Sequence, residues 1–305
     1  MLAVEWNENA QACLRANFSD LDVAGDITKL SDGEVLERTG LRVGELDLLD
    51  GSPPCQGFST MGKRDMGDSR NQLFRDFVRL LKALRPRAFV MENVSGMVKG
   101  PFGLIFSEIL EALKSVGYAV RVRLLNASYF GVPQSRERLI FIGIRSDLGI
   151  NPSHPKGWSR PISMNVALSD LNSMIGAVHT SLLYGENRVT MQAKARLLRV
   201  KEGFGPIDLV GVRNQQFKNK WRSANKPCPT IASARPPIVF LSDGTMREMT
   251  GVECARIGSF PDQFVFVGSE SDARRRIGNS VPPMFMWSIA SHVRDLLSCA
   301  PNDLG

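Results

Sequence analysis

The amino-acid sequence has 305 residues, of which 43% are hydrophobic and 23% are charged, a balance typical of soluble globular proteins. No apolar run is long enough to cross a bilayer and no basic-then-apolar leader is present, so we expect a cytoplasmic protein without a membrane anchor. Five cysteines (Cys13, Cys55, Cys228, Cys254 and Cys299) show the spacing of neither a zinc site nor a disulfide framework, which fits a reducing compartment.

Short apolar runs alternate with amphipathic stretches over the first 145 residues. The pattern predicts strands at 1–6, 46–50, 88–93, 118–127 and 137–145, and helices at 8–18, 71–84 and 104–117. Alternation of strand and helix predicts an α/β fold with a mostly parallel sheet wrapped by helices. Ligands of such sheets bind at the carboxyl ends of the strands.

The periodicity weakens between about residues 146 and 220, where Pro, Gly, Ser, Asn and basic residues dominate. We interpret this stretch as a smaller, irregular module. Regular patterns return after it, and they predict helices at 247–260 and at 282–299, the second opened by two prolines.

The net charge of +7 is concentrated in residues 186–222, which hold nine basic residues against three acidic ones. Such a segment is typical of proteins that bind a polyanion, and a solvated surface can carry the same charges.

The stretch DGSPPCQGFS, residues 50–59, places Cys55 directly after two prolines that hold the backbone in one extended path. Such a cysteine is either a rigidly presented nucleophile or a small side chain packed in a tight turn, and the decapeptide fits both. Glu92 ends the next long predicted strand. Because one crossover helix joins these two strands, we expect their carboxyl ends, and hence Cys55 and Glu92, to face one pocket.

Arg136 and Arg138 follow two residues apart, on one face of a predicted strand. A thiol, an acid and guanidinium groups in one cleft suit attack on a pyrimidine. A thiolate can add to an electron-poor ring carbon if an acid supports the ring nitrogen that gains electron density. Arginines nearby would favour the thiolate and orient a carbonyl or phosphate group.

Four short motifs follow one another along the chain: PPCQ at 53–56, ENV at 92–94, QSRER at 134–138 and GNSVPP at 278–283. In this order they resemble the motifs of DNA (cytosine-5)-methyltransferases, and the resemblance covers nearly the whole chain except residues 146–220. It implies the Rossmann-like fold of S-adenosylmethionine-dependent methyltransferases, with a small irregular target-recognition domain. The expected domains are 1–145 with 270–305 for catalysis and cofactor binding, and 146–269 for target recognition and its connecting segments.

The resemblance implies catalytic roles for four residues. Cys55 matches the nucleophile that attacks carbon 6 of cytosine, and Glu92 matches the acid that contacts ring N3 and the amino group. Arg136 and Arg138 match the arginines that hold the cytosine carbonyl and order the site. The implied partner is double-stranded DNA, from which the cytosine must be flipped out before it reacts. Residues 57–71 would form the flap that closes over it.

The resemblance also implies a site for S-adenosylmethionine. Glu5 would bind the ribose hydroxyls, and Trp6 would lie against the adenine. Asp26 would accept a hydrogen bond from the adenine amino group beside Ile27. The remaining implied residues form the walls of the site or close it, and they are Pro54, Leu73, Asn279 and Ser280.

One element of the family pattern is missing from this sequence. The family opens with a strand and a loop of the type Asp-Leu-Phe-x-Gly-x-Gly, whereas Met1 stands directly before the Glu5–Trp6 element. Three accounts are open: an internal methionine recorded as the start, a complementing N-terminal chain, or a decayed remnant. For the chain as given we expect weak cofactor binding and a monomer, unless such a chain completes it.

Other functions remain as alternatives. Thymidylate synthases also use a Pro-Pro-Cys nucleophile, but histidine takes the place of Gln56 there and no ENV or QSRER follows. An RNA cytosine methyltransferase on the same scaffold and a catalytically silent DNA-binding protein fit the residues as well. The favoured hypothesis is a bacterial or phage modification enzyme of a restriction-modification system.

Overall fold

The computed structural model describes residues 1–53, 69–98, 103–169, 207–213, 219–233, 237–241 and 246–299. The chain forms two compact units. The first comprises Met1–Leu125, Glu137–Lys156 and Trp287–Gly305, and the second comprises Asn126–Arg136 and Gly157–Met286. These bounds differ from the predicted domains, most clearly at 270–286. The two units are defined by their packing, whereas the predicted domains are defined by their function. The predicted domains therefore stay a prediction.

Strands and helices of the described ranges are numbered in chain order. The strands are β1 Leu2–Val4, β2 Asp22–Ala24, β3 Leu48–Gly51, β4 Ala88–Val94, β5 Tyr118–Asn126, β6 Gln134–Ser135, β7 Glu137–Arg145, β8 Ile207–Arg213, β9 Asn219–Ser223, β10 Cys228–Pro229, β11 Ile238–Leu241 and β12 Met246–Glu248. The helices are α1 Glu8–Asn17, α2 Asp32–Thr39, α3 Ser69–Leu84, α4 Gly103–Ser115, α5 Met164–Leu168, α6 Gly251–Ile257, α7 Glu270–Asn279 and α8 Pro283–Ser298. None of these helices is long and apolar enough to span a membrane.

The first unit contains two sheets. β1 and β2 form a parallel pair, and a four-stranded sheet has the order β3-β4-β7-β5. β3 runs parallel to β4, with Leu48 opposite Ala88, whereas β7 runs antiparallel to β4. The predicted α/β class is confirmed, and β7 makes the larger sheet mixed. In the described part of the chain, β1 and β3 each pair with one other strand.

Aromatic packing fixes one face of the larger sheet. Phe89 of β4 meets Phe77 of α3 edge-on, with ring centroids 5.9 Å apart, and Tyr118 of β5 at 5.2 Å. Glycines make room for these rings, since a Cβ on Gly143 would lie 2.0 Å from Phe89 and a Cβ on Gly51 would lie 2.8 Å from Phe77. This face is therefore apolar along the middle of its strands, and the alternate residues of β3, β4 and β7 point to the other face.

A second apolar cluster joins β1, β2 and β3 to the helices. It contains the buried side chains of Ala24, Leu30, Val35, Leu80 and Leu84, with Leu2, Val4 and Leu49 packed against it. Arg79 of α3 reinforces this cluster by pairing with Asp32 of α2 and by donating to the carbonyl of Ile27. The two sheets therefore rest on the same helices.

The second unit is built around an antiparallel sheet with the order β12-β11-β8-β9. The sequence-based interpretation of residues 146–220 as irregular is therefore wrong at β8 and at the start of β9. The helix predicted at 247–260 is also too long, because residues 246–248 form β12 and α6 begins only at Gly251. The capping box of Thr250 and Glu253 fixes that start, and Glu253 also receives two hydrogen bonds from Arg247, at 2.6 and 2.7 Å.

Candidate active site

Glu92 and Arg138 form an ion pair on the face of the larger sheet that lies opposite the aromatic core. Glu92 stands opposite Ile140 in the β4–β7 register, and Arg138 stands opposite Val94. The Nε of Arg138 lies 2.5 Å from Oε1 of Glu92, and each side chain is 13% exposed. The N–H direction does not meet hydrogen-bond geometry, so the contact is a close charge pairing. The sequence predicted both residues, and the structure brings them together.

Asn93 connects β4 to the segment that leads to Cys55. Its Nδ2 donates to the carbonyl of Pro53 over 3.0 Å, and its Oδ1 accepts from the backbone N–H of Val94 over 2.9 Å. The Asn93 side chain is buried, so the carbonyl of Pro53 is held by a donor shielded from water. Pro54 and Cys55 themselves lie outside the described residues. The predicted adjacency of the two strands is confirmed by the β3–β4 pairing.

Arg136 belongs to the second unit, although a single residue separates it from Arg138. It is 3% exposed, and it donates to the carbonyls of Gly278 at 3.0 Å and Ile231 at 3.4 Å. The two arginines have different partners, whereas the sequence predicted that they act from one strand face. A Cβ on Gly278 would lie 2.6 Å from the backbone of Ser233, so this position requires glycine. Arg136 therefore ties together three backbone segments of its own unit.

Glu5 and Trp6 follow directly after β1. The backbone N–H of Glu5 donates to the carbonyl of Ala24 over 3.0 Å and extends the β1–β2 pairing. Its Oε1 accepts from the backbone N–H of Asn7 over 2.8 Å, and Asn7 is the N-cap residue of α1. The Trp6 side chain is 77% exposed. The carboxylate is thus fixed at the strand end, with an open aromatic surface beside it.

Asp26 and Ile27 occupy the equivalent position after β2. Oδ1 of Asp26 accepts from the backbone N–H of Thr28 at 3.0 Å and from its hydroxyl at 2.8 Å. These hydrogen bonds stabilise the ionised form and lower the pKa of Asp26. Ile27 packs against the apolar cluster of β1, β2 and β3. Because β1 and β2 are paired in register, the predicted residues of the two strand ends come together.

The other predicted cofactor residues lie further along the chain. Leu73 is partly buried in α3 of the first unit. Asn279 ends α7 of the second unit and is exposed, and Ser280 caps that helix by donating its hydroxyl to the carbonyl of Arg276 over 2.6 Å.

Two polar residues near the site were not singled out by the sequence reasoning. Asn93 lies inside the ENV motif, but only its contact with Pro53 shows what it does. Asp50 of β3 lies on the same sheet face as Glu92, and an alternating reading of β3 and β4 could have found it. Part of its side chain reaches solvent, yet the surrounding protein, and secondarily the charge of Glu92, raise the pKa of Asp50 to about 6.

The carboxylates and the exposed indole at the ends of β1 and β2 fit a nucleoside. A carboxylate can accept hydrogen bonds from ribose hydroxyls, and an indole can stack on a purine. These groups stand where α/β sheets bind their ligands, at the carboxyl ends of parallel strands.

Solved structures show the fold. The chain superposes on a protein described as a DNA modification methyltransferase of an Escherichia coli prophage, with a TM-score of 0.70, 22% identity, and coverage of 97% of this chain and 92% of the other. It also superposes on a mutant of the Spodoptera frugiperda methyltransferase DNMT2 with a TM-score of 0.65, 19% identity and coverage of 97% and 91%. The fold is that of the S-adenosylmethionine-dependent methyltransferases.

The chain belongs to the C-5 cytosine-specific DNA methylase family, whose profile matches residues 1–295. It is 33% identical over 316 residues to the Type II methyltransferase M1.HphI of Haemophilus parahaemolyticus, covering 96% of this chain and 80% of the relative. M.DdeI of Desulfomicrobium norvegicum is 32% identical over 347 residues, with coverage of 96% and 82%. The protein is thus an enzyme of the DNA cytosine-5 methyltransferase class, and S-adenosylmethionine is its methyl donor.

Proposed function

We propose that this protein methylates carbon 5 of a cytosine that is flipped out of duplex DNA, through a covalent bond to Cys55. The observation that carries the proposal is the Glu92–Arg138 pair at the end of β4, next to the strand that leads to Cys55. Asn93 holds Pro53, two residues before the cysteine, and so fixes the start of the nucleophile segment relative to the acid.

The chemistry assigned to these residues begins at the cysteine. The Cys55 thiolate attacks carbon 6, a C6–S bond forms, and ring electrons move toward C5 and N3. Glu92 donates its proton to N3 as that atom gains electron density, and Arg138 orients the ring through its carbonyl oxygen. Once C5 carries the methyl group and its proton has passed to solvent water, the C6–S bond breaks and Cys55 leaves as a thiolate. Glu92 then takes back the N3 proton.

The residues of the β1 and β2 ends would hold the cofactor, which supplies the methyl group when bound. We assign the ribose hydroxyls to Glu5, the adenine face to Trp6, and the adenine amino group to Asp26 beside Ile27. The fixed carboxylates and the 77% exposed indole support this assignment. We assign the remaining walls and the closing segment as in the family pattern, to Pro54, Leu73, Asn279 and Ser280. Arg136, with its backbone contacts, is assigned a positioning role.

We infer that the enzyme acts as a monomer on DNA in the bacterial cytoplasm, as the modification partner of a restriction endonuclease. The concentration of positive charge in residues 186–222 supports DNA as the substrate. The two relatives named above are both Type II methyltransferases, which supports the role in restriction-modification.

A covalent trap tests the proposal. Duplex DNA that carries 5-fluorocytosine should form an adduct that survives a denaturing gel in the presence of S-adenosylmethionine, because fluorine cannot leave as the C5 proton does. Cys55→Ala should abolish the adduct, whereas Cys299→Ala, a change at an exposed cysteine, should leave it intact. Absence of the adduct with wild-type protein, or its persistence in Cys55→Ala, would contradict the proposal. A methylation assay with transfer RNA in place of duplex DNA tests the alternative, because an RNA methyltransferase would methylate the transfer RNA and not the DNA.

A further inference from the structure

We propose that a cavity of the first unit, remote from the Glu92–Arg138 pair, binds a small molecule through its phosphate group. The cavity lies at the ends of α3, α4 and β7, and its volume of about 610 Å³ is in the range of sites for small molecules. Its lining includes three cations, one carboxylate and an apolar wall, which are Lys82, Arg85 and Arg145, then Asp147, then Val116 and Tyr118.

This cavity and the candidate active site lie at opposite edges of the larger sheet. Arg138 is close to the start of β7, and Arg145 is its last residue. Seven residues of extended strand separate the two arginines by about 23 Å. In the β4–β7 register, Ile144 stands opposite Ala88 at the start of β4, whereas Glu92 lies toward its end. A ligand in the cavity would not take the place of the cytosine, so its binding does not depend on the proposed function.

The charges of the cavity favour an anion. Three cations and one carboxylate give the lining a formal charge of +2. Arg145 neutralises Asp147, because its Nε donates to the two carboxylate oxygens over 2.8 and 3.1 Å. The charge of Arg85 acts on the same carboxylate only as a weaker, more distant effect. Within the described part of the chain, neither Lys82 nor Arg85 uses its side chain in a hydrogen bond or a close ion pair.

Cations at the carboxyl end of a helix are usually explained by the partial negative charge of its last carbonyl groups. At the end of α3, other groups satisfy these carbonyls. The carbonyl of Leu81 accepts from the backbone N–H of Arg85 over 3.1 Å, and that of Leu84 accepts from a loop N–H over 2.8 Å. The carbonyl of Arg85 accepts from Nη1 of Arg145 over 2.7 Å. The side chains of Lys82 and Arg85 are therefore not needed to cap α3.

The backbone of Arg85 provides a second, independent observation. Its φ of 46° lies in the left-handed region, where glycine is the usual residue directly after a helix. Arg85 also precedes Pro86, and the residue before a proline favours extended backbone. Glycine would adopt this conformation at lower cost. A long cationic side chain at a strained position beside a cavity indicates that the side chain itself has a function.

These features fit a phosphate monoester with an apolar body. Lysine and arginine both form charge-assisted hydrogen bonds with phosphate oxygens. A phosphate monoester carries nearly two negative charges at pH 7, which matches the charge of the lining. Beside the cations, the partly buried Val116 and the ring of Tyr118 form the apolar wall. The hydroxyl of Tyr118 donates to the carbonyl of Pro86 over 2.8 Å, so the ring is the part that faces a ligand.

Calorimetric titration with phenyl phosphate at neutral pH and physiological salt tests the site. We expect wild-type protein to bind this probe with a Kd of about 1 mM. Lys82→Met and Arg85→Gly should each raise the Kd about tenfold or more, because each removes one charge-assisted contact. Lys114→Ala is the matched control, since Lys114 is exposed on the last turn of α4 but does not line the cavity, and its Kd should change less than about twofold.

Absence of binding to wild-type protein, or a wild-type Kd in either cavity variant, would overturn the proposal. Both variants should fold, because Arg85→Gly relieves a strained φ and Lys82→Met places a good helix former at an exposed position. Thermal unfolding checks this, and if Arg85→Gly does not fold, Lys82→Met decides. Amide NMR shifts of Gly117 and Ser146 should follow the titration, whereas shifts at Arg138 without them would place the probe elsewhere and contradict the proposal.

The phosphate could belong to a small molecule or to DNA, and fluorescence anisotropy with duplex DNA distinguishes the two sources. For a small-molecule site, Lys82→Met should bind DNA with the wild-type Kd. If this variant loses affinity for DNA and for phenyl phosphate by the same factor, the small-molecule assignment fails. The Cys55 adduct plays no part in these measurements. Failure of the proposed function and failure of this assignment are therefore observed separately.

Discussion

Removing Arg138 leaves the carboxylate of Glu92 in a place where water cannot replace the lost partner. Both side chains are only 13% exposed, so water solvates the pair poorly, and in such a place deleting one partner costs more than the pair contributes. We expect Arg138→Ala to lower the free energy of unfolding by about 3 kcal/mol in urea denaturation at pH 7. Arg294→Ala breaks an exposed pair with Asp295 and should cost less than about 1 kcal/mol. Equal effects would show that the Glu92 site is solvated.

Asn93 offers a second change at the scale of one residue, and its effect should fall on the chemistry. Asn93→Asp keeps the size of the side chain but has no N–H to donate to Pro53. We expect the rate of adduct formation with 5-fluorocytosine DNA to fall about 10- to 100-fold, with little change in the Kd for DNA. Asn225→Asp, at an exposed asparagine of the second unit, is the control. A rate equal to wild type would show that the Pro53 contact does not position Cys55.

Most elements of the first unit could be predicted from the sequence because their signals are local, although the short β2 and α2 were not predicted. β4 was predicted at 88–93 and found at Ala88–Val94, and α3 was predicted from 71 and found from Ser69. The pairing of Glu92 with Arg138 followed less directly, since register across β4 and β7 is set by packing of Phe89 against Gly143 and not by either strand alone.

Most elements of the second unit were not predicted from the sequence. β12 has three residues and pairs with β11 across a short connection, so it offers no periodicity to detect. α7, which was not predicted, is mostly polar and owes its start to the capping box of Ser269 and Asp272. The partners of Arg136, Ile231 and Gly278, come from segments far away in the chain, and no local pattern indicates them.

Two Gly→Ala substitutions with opposite expected effects on stability test the packing of the sheet. Gly143→Ala would place a methyl group 2.0 Å from Phe89 in the core, and we expect a loss of stability of about 2 kcal/mol or more. Gly33→Ala, in the open first turn of α2, should instead stabilise the protein by about 0.4–1 kcal/mol, because alanine restricts the unfolded chain more than glycine does. Thermal unfolding of both variants provides the comparison, and a harmless Gly143→Ala would mean that β4 and β7 can shift apart.

At the scale of the whole molecule, positive charge should set the affinity for DNA more than any single base contact. Replacing Lys194, Arg196 and Arg199 by alanine should reduce the slope of log K against log salt concentration by about 2 to 3, if all three meet phosphates. Fluorescence anisotropy with duplex DNA between 50 and 300 mM salt measures this slope. Replacing Arg15, Arg38 and Arg42 of the first unit by alanine is the control, and it should leave this slope unchanged. If the first variant has the same slope as wild type, residues 194–199 do not contact DNA phosphates.

The separation of the first unit into two sheets has a kinetic consequence. The β1–β2 pair and the larger sheet share no strand in the described part of the chain, and an apolar cluster with α2 and α3 packs against both. Amide protons of β1, β2 and α1 should therefore exchange with solvent as one cooperative group, at a lower opening free energy than those of β4 and β7. Glu5 and Asp26 belong to the group that opens first. An adenosine-like ligand bound there should therefore slow amide exchange in β1, β2 and α1 selectively, because its binding stabilises the closed form of the β1–β2 pair.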